Sequence, residues 1–121
     1  RGSGTRVLLD YRLSGLGIAP TSINGYRDEE YTHMNVAAAV LSGRVDAGLA
    51  VRAAANALGL PFMPIGVEEY DLVIPRRFFE TDAVQALLEV IRSEAFRQTV
   101  EGMGGYGTQK TGQIIWEYAG K

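Results

Sequence analysis

Ser3-Gly4-Thr5-Arg6, followed at once by the apolar Val7-Leu8-Leu9, has the composition of a helix start that is bare, polar and cationic. The first turn of a helix carries unpaired N–H groups and a partial positive charge, so it can seat an oxyanion with little side-chain help. Gly4 lets a ligand approach the backbone, Ser3 and Thr5 offer hydroxyls, and Arg6 offers a planar fork suited to pairs of oxygens. The same residues serve equally as a plain cap, because Ser and Thr are favoured there for their acceptor oxygen. Arg6 can also turn back to Asp10 at i+4. Thr32-His33 poses the question again: hydroxyl, imidazole and backbone N–H groups could converge on an anion, or Thr32 could cap a helix beside a surface histidine. Tyr26, Tyr31 and Tyr70 are of the kind that either fill a core or close a cleft with their hydroxyls.

Much chemistry is excluded by composition. The 121 residues contain no cysteine and a single histidine, His33, which removes disulfides, thiolate sites and multi-histidine metal centres. Twelve basic and 14 acidic residues leave a formal charge of -2, without the broad positive face that nucleic acid or anionic lipid demands. No Ser-His-Asp order, nucleophile elbow or phosphate-loop G-K-[ST] occurs. Gly102-Met103-Gly104-Gly105-Tyr106-Gly107 spells G-x-G-x-x-G but follows a helical pattern instead of a strand, with no helix after it and no acidic ribose partner, so it reads as a mobile loop. Asp28-Glu29-Glu30 and Glu68-Glu69 read as solvated or dipole-complementing acids. No catalytic residue, metal or cofactor is expected. No apolar run approaches the roughly 20 residues of a membrane span and no signal peptide is visible, so a soluble, cytoplasmic chain is the expectation. A first residue that is Arg1, with a functional loop at the very edge, suggests a fragment.

Glycines fall at the ends of periodic segments, as in an alternating α/β chain. Leu8, Leu9, Leu13 and Leu16 form one helical stripe closed by Gly17; a short strand is expected over 22–26. Thr32 caps a second helix with Val36, Ala37, Val40 and Leu41 on one face and Gly43 at its end. Residues 45–51 read as a buried strand, with Gly48 where something approaches closely. A helix over 52–58 stops at Gly59, and 62–65 reads as an edge strand. Tyr70-Asp71-Leu72-Val73-Ile74 is the most β-like run, ended by Pro75 and Arg76-Arg77. Thr81 and Ser93 then cap two helices, the first with Val84, Leu87, Leu88 and Ile91 inward. This alternation predicts an α/β mixed sheet flanked by helices, with the Ser3 and Thr32 helix starts on one rim.

Taken together, Arg1 to Asp10, Ile23-Asn-Gly-Tyr26, Thr32-His33, Ala37 to Val40 with Ser42 to Leu49, Tyr70 to Arg76 and Gly104-Gly105-Tyr106 resemble one family. It is the periplasmic-binding-protein-like (type 2 solute-binding) domain found at the C-terminus of molybdopterin molybdotransferase-type proteins and in helix-turn-helix regulators. The resemblance implies two α/β lobes around a ligand cleft, truncated here: 1–67 as the second lobe, 68–77 as a hinge strand, and 78–121 as helices and tail of the first lobe. It further implies a sensor or accessory domain for a small oxyanion, with molybdate or tungstate favoured and a link to molybdenum cofactor biosynthesis. An effector domain of a regulator recognising a small organic acid is the alternative. The implied ligand-binding residues are Ser3, Gly4, Thr5, Arg6, Thr32, His33 and Tyr70. Expected partners are the small anion, a fused cofactor-synthesis or helix-turn-helix domain, and further copies of the fragment; direct nucleic-acid contact and membrane binding are not expected.

Overall fold

A computed structural model describes residues 3–118; Arg1 and Gly2, quoted for the resemblance, and the end of the expected 78–121 piece lie outside the described residues. Local chemistry sets the helix ends. Ser3 starts α1 (Gly4–Gly15), whose C-terminus closes through Gly17 in the left-handed conformation, φ 66°, with the Ile18 N–H donating to the Leu13 carbonyl at 3.0 Å. A 3-10 turn (Pro20–Ser22) follows, then α2 (His33–Leu41), capped by Thr32 and closed at Gly43, and α3 (Arg52–Ala57), closed at Gly59. Positive φ at these glycines costs little because no Cβ opposes it. The second half holds α4 (Arg76–Phe79), α5 (Asp82–Arg92) and α6 (Glu94–Gly102).

The expected mixed sheet is absent: among the described residues no strand forms. β-like composition signals fit to a pleated surface but supplies no neighbour to pair with, and residues 45–51, 62–65 and 70–74 run without a ladder partner. Over 22–26 the chain instead turns, with Gly25 at φ 73° and the Tyr26 N–H donating to the Ile23 carbonyl at 3.3 Å.

The chain divides into two compact units, Arg1–Met63 and Pro64–Lys121. In the first, α2 packs on α3, and Ala37 and Ala39 of the one helix and Ala54 and Ala55 of the other are all buried. Of the expected Val36, Ala37, Val40, Leu41 stripe, Ala37 is buried and Val36 and Val40 half-buried, while Leu41 is exposed and Ala39, outside the stripe, is buried. In the second unit α5 packs on α6 and α4, with Leu88 buried. The glycine-rich stretch after α6 is anchored: the buried Thr108 hydroxyl donates to Glu101, and Arg92 Nε donates to the Gly112 carbonyl at 2.9 Å. No described helix is long and apolar enough to cross a membrane.

Candidate functional site

Both expected helix starts exist, and both lie in the first unit. Ser3 is extended (φ -77°, ψ 149°), and its Oγ accepts from the Arg6 N–H at 3.3 Å. Thr32 does the same for α2: Oγ1 accepts from the Asn35 N–H at 3.0 Å. Capping uses the oxygen lone pair, so each hydroxyl hydrogen is left to donate elsewhere. The earlier N–H groups of each first turn, at Gly4 and Thr5 and at His33 and Met34, have no partner among the described residues. Cap and anion seat are thus compatible uses of one geometry. Thr5, Arg6 and His33 are half-buried; Ser3, Gly4 and Thr32 are exposed.

Arg6 is held in a clasp. Its Nε donates to Asp10 at 3.2 Å, and Nη1 donates to the Tyr26 carbonyl at 3.0 Å and lies 3.5 Å from Glu29. The guanidinium carbon sits 3.9 Å from the centre of the Tyr26 ring, and the Tyr26 hydroxyl donates to Asp10 at 2.5 Å. Hydrogen bonding with Tyr26 first, then attraction to Tyr26 and Asp10, holds the Arg6 guanidinium above its already high ordinary pKa. The fork points into its own carboxylates, so it ties the 23–29 turn to α1 instead of standing open at the helix start. Asp10 was legible as an i+4 partner; Tyr26 and Glu29, some twenty residues on, give no local signal.

Tyr70 belongs to the other unit. Its hydroxyl donates to Glu68 at 3.2 Å, and the Glu68 charge raises its pKa above the phenol's ordinary value of about 10. The protonated phenol is the favoured form, so whatever Tyr70 adds to stability is complete below about pH 10 and lost as pH rises through its folded-state pKa. Glu68→Gln is expected to bring that titration back toward pH 10, read by ultraviolet absorbance of the phenolate; an unmoved titration would show that Glu68 is not its cause. A shallow open depression beside α2, lined by Glu30, Asn35, Ala38, Ser42 and Arg44, includes none of the expected site residues; Arg44 is paired there with Glu30. Among the described residues no three acidic or histidine side chains gather as a metal cage.

A family model described as a PBP superfamily domain matches residues 1–92. The chain is 36% identical to the uncharacterized protein YvgK of Bacillus subtilis (strain 168) over 117 residues, 97% of this chain and 37% of that protein. It is 34% identical to an uncharacterized protein encoded in the 5' region of a ferredoxin 2Fe-2S gene of Clostridium pasteurianum, over 92% of this chain and 99% of that protein. The chain therefore spans little over a third of the Bacillus relative and nearly all of the Clostridium one. No solved structure matches it.

Proposed function

We propose a function from one premise: the chain belongs to the PBP-like family of PBP superfamily domains. In this reading it is a ligand-binding domain for a small oxyanion, molybdate or tungstate first among them. What supports the reading beyond family is the pair of helix starts in one unit, each presenting first-turn N–H groups without a partner among the described residues, beside a hydroxyl that caps through its oxygen. Ser3, Gly4 and Thr5 would serve one seat and Thr32 with His33 the other, their N–H and O–H groups replacing the anion's hydration shell. Arg6 would hold the first seat in place through its clasp, and Tyr70 would stand at a hinge.

The further parts of the reading follow from the same premise. Residues 1–67 would be the second lobe, 68–77 the hinge segment and 78–121 the returning part of the first lobe, with binding drawing the lobes together. The Bacillus relative extends far beyond the matched span, which leaves room for a fused domain of molybdopterin molybdotransferase or helix-turn-helix type; a cytoplasmic sensor or accessory of molybdenum cofactor synthesis fits the first.

Calorimetry of the chain with molybdate, tungstate, sulfate and small carboxylates tests the ligand. Binding of either metal oxyanion is expected; silence toward both with heat from a carboxylate would replace the reading with an organic-acid effector domain. Thr32→Val should weaken oxyanion binding by about tenfold or more, the cost of one hydrogen bond to a charged group. It should also lower stability by about 1 kcal/mol through the lost cap. Thr32→Ser keeps the hydroxyl and should restore both; unchanged affinity in Thr32→Val would return Thr32 to a plain cap.

A further inference from the structure

We infer that two copies of this chain associate in solution, face to face through the apolar stretch 114–118. The chain covers too little of itself to stand alone. It exposes 9931 Å², whereas a compact monomer of 13.1 kDa exposes about 6,400 Å², and two separate compact bodies of half that mass about 7,700 Å² together. Whatever the placement of the two units, about 2,000 Å² per chain is left over. The core tells the same story. Among the described residues the apolar side chains more than nine-tenths buried are Leu13, Leu88 and four alanines. Obligate homodimers bury about 2,000 to 5,000 Å² in total, and the surplus on two copies of this chain falls inside that range.

The stretch 114–118 is where the surplus is most apolar. Ile114 is 54% exposed, Ile115 61%, Trp116 75% and Tyr118 71%. The Trp116 and Tyr118 rings stand 5.9 Å apart at 42°, so the two present one aromatic platform. Four such side chains in five residues expose on the order of 600 Å², the upper end for the largest patch on a monomer. Two of these patches laid together bury about 1,200 Å², the threshold of a stable specific interface. Tryptophan and tyrosine are also the side chains that most often anchor one.

The chemistry of the patch favours its own copy as the occupant. Glu117 is the only charge in 112–118, so nucleic acid or anionic lipid finds no cation within the stretch. Glu117 reaches toward Arg76 of its own chain, at 4.0 Å, which leaves the aromatic and isoleucine side chains to make the contact. A two-fold contact needs one patch that complements itself. Offset rings and interleaved isoleucines do so without any buried charge or hydrogen bond to satisfy.

Trp116 is the sole tryptophan, so its emission reports the face directly. Sedimentation of the chain from micromolar to millimolar concentration is expected to show a reversible dimer. Over the same range Trp116 emission should move to shorter wavelength and its quenching by acrylamide should fall. Trp116→Ala should weaken the dimer at least about thirtyfold, the effect of truncating an interface anchor, while helicity by circular dichroism stays at the parent level. Trp116→Phe keeps a ring and should retain the dimer. Tyr31→Ala, at a fully exposed aromatic of the other unit, should leave it unchanged. A monomer throughout the range, a dimer in which Trp116 stays fully quenchable, or equal weakening by Trp116→Ala and Tyr31→Ala would each overturn the inference. None of these readouts depends on which anion the chain binds.

Discussion

Leu88→Ala is expected to lower the stability of the 64–121 unit by about 2 to 4 kcal/mol, the usual cost of emptying a buried leucine site. The effect should be large because so little else is buried. Leu88 is the apolar side chain of this unit that is more than nine-tenths covered among the described residues; Leu87 and Val90 on the same helix are about half exposed. Of the expected Val84, Leu87, Leu88 and Ile91 face, Leu88 is buried and Val84 and Ile91 half-buried while Leu87 stands outside it, and α5 packs on α6 and the short α4. A unit of this size draws only a few kcal/mol from its core, so removal of its central leucine approaches the whole of that stability. The melting temperature should fall by roughly 8 °C or more, with loss of amide-exchange protection across α5 and α6. Leu88→Met, nearly equal in volume, should cost less than about 1.5 kcal/mol. A melting curve for Leu88→Ala within about 2 °C of the parent would show that the core of this unit lies elsewhere.

Helix boundaries were readable because each is decided within about four residues. Ser3, Thr32 and Ser93 accept from N–H groups three positions on, and Gly17, Gly43 and Gly59 take positive φ where the pattern ends. Thr81 shows how far such reading goes. It stands before α5 as expected, yet its hydroxyl donates back to the Phe78 carbonyl at 2.6 Å. The reason is α4, a four-residue helix that Pro75-Arg-Arg-Phe-Phe does not announce. The strands failed for the opposite reason. A helix supplies its own hydrogen-bond partners, whereas a strand borrows them from a distant segment, and nothing in Val45–Val51 or Tyr70–Ile74 says which one. The candidate site divides along the same line: the two helix starts and the Arg6–Asp10 pair are local and legible, while the Tyr26 and Glu29 ends of the Arg6 clasp depend on how the 23–29 turn folds back.

Gly48→Ala is the second substitution expected to act strongly, and it bears on the candidate site itself. A Cβ at position 48 would collide with Val36 Cγ1 and lie 3.7 Å from Val40 Cγ2. The backbone at Gly48 is not in the left-handed region, so the demand is for space and not for conformational freedom. The Val36 methyl cannot simply swing aside, because a β-branched side chain in a helix is confined to one favoured rotamer. The 45–51 segment must then lift from α2, or α2 must shift. Overpacking of this kind costs about 1 to 3 kcal/mol, a fall in melting temperature of roughly 5 to 15 °C for a unit of this size. Val36→Ala removes the opposing methyl. The double variant should therefore be more stable than the sum of the two single effects predicts, by about 1 kcal/mol or more. Strict additivity would mean that the segment moves away freely and that its contact with α2 is incidental. Val36 also lies one turn from the start of α2, and its own N–H donates to the Thr32 carbonyl at 3.1 Å. A displaced Val36 pulls on the turn that presents Thr32 and His33. Oxyanion affinity should accordingly fall in Gly48→Ala and recover in the double variant, whereas a loss of stability with affinity intact would separate the packing of α2 from the seat at its N-terminus.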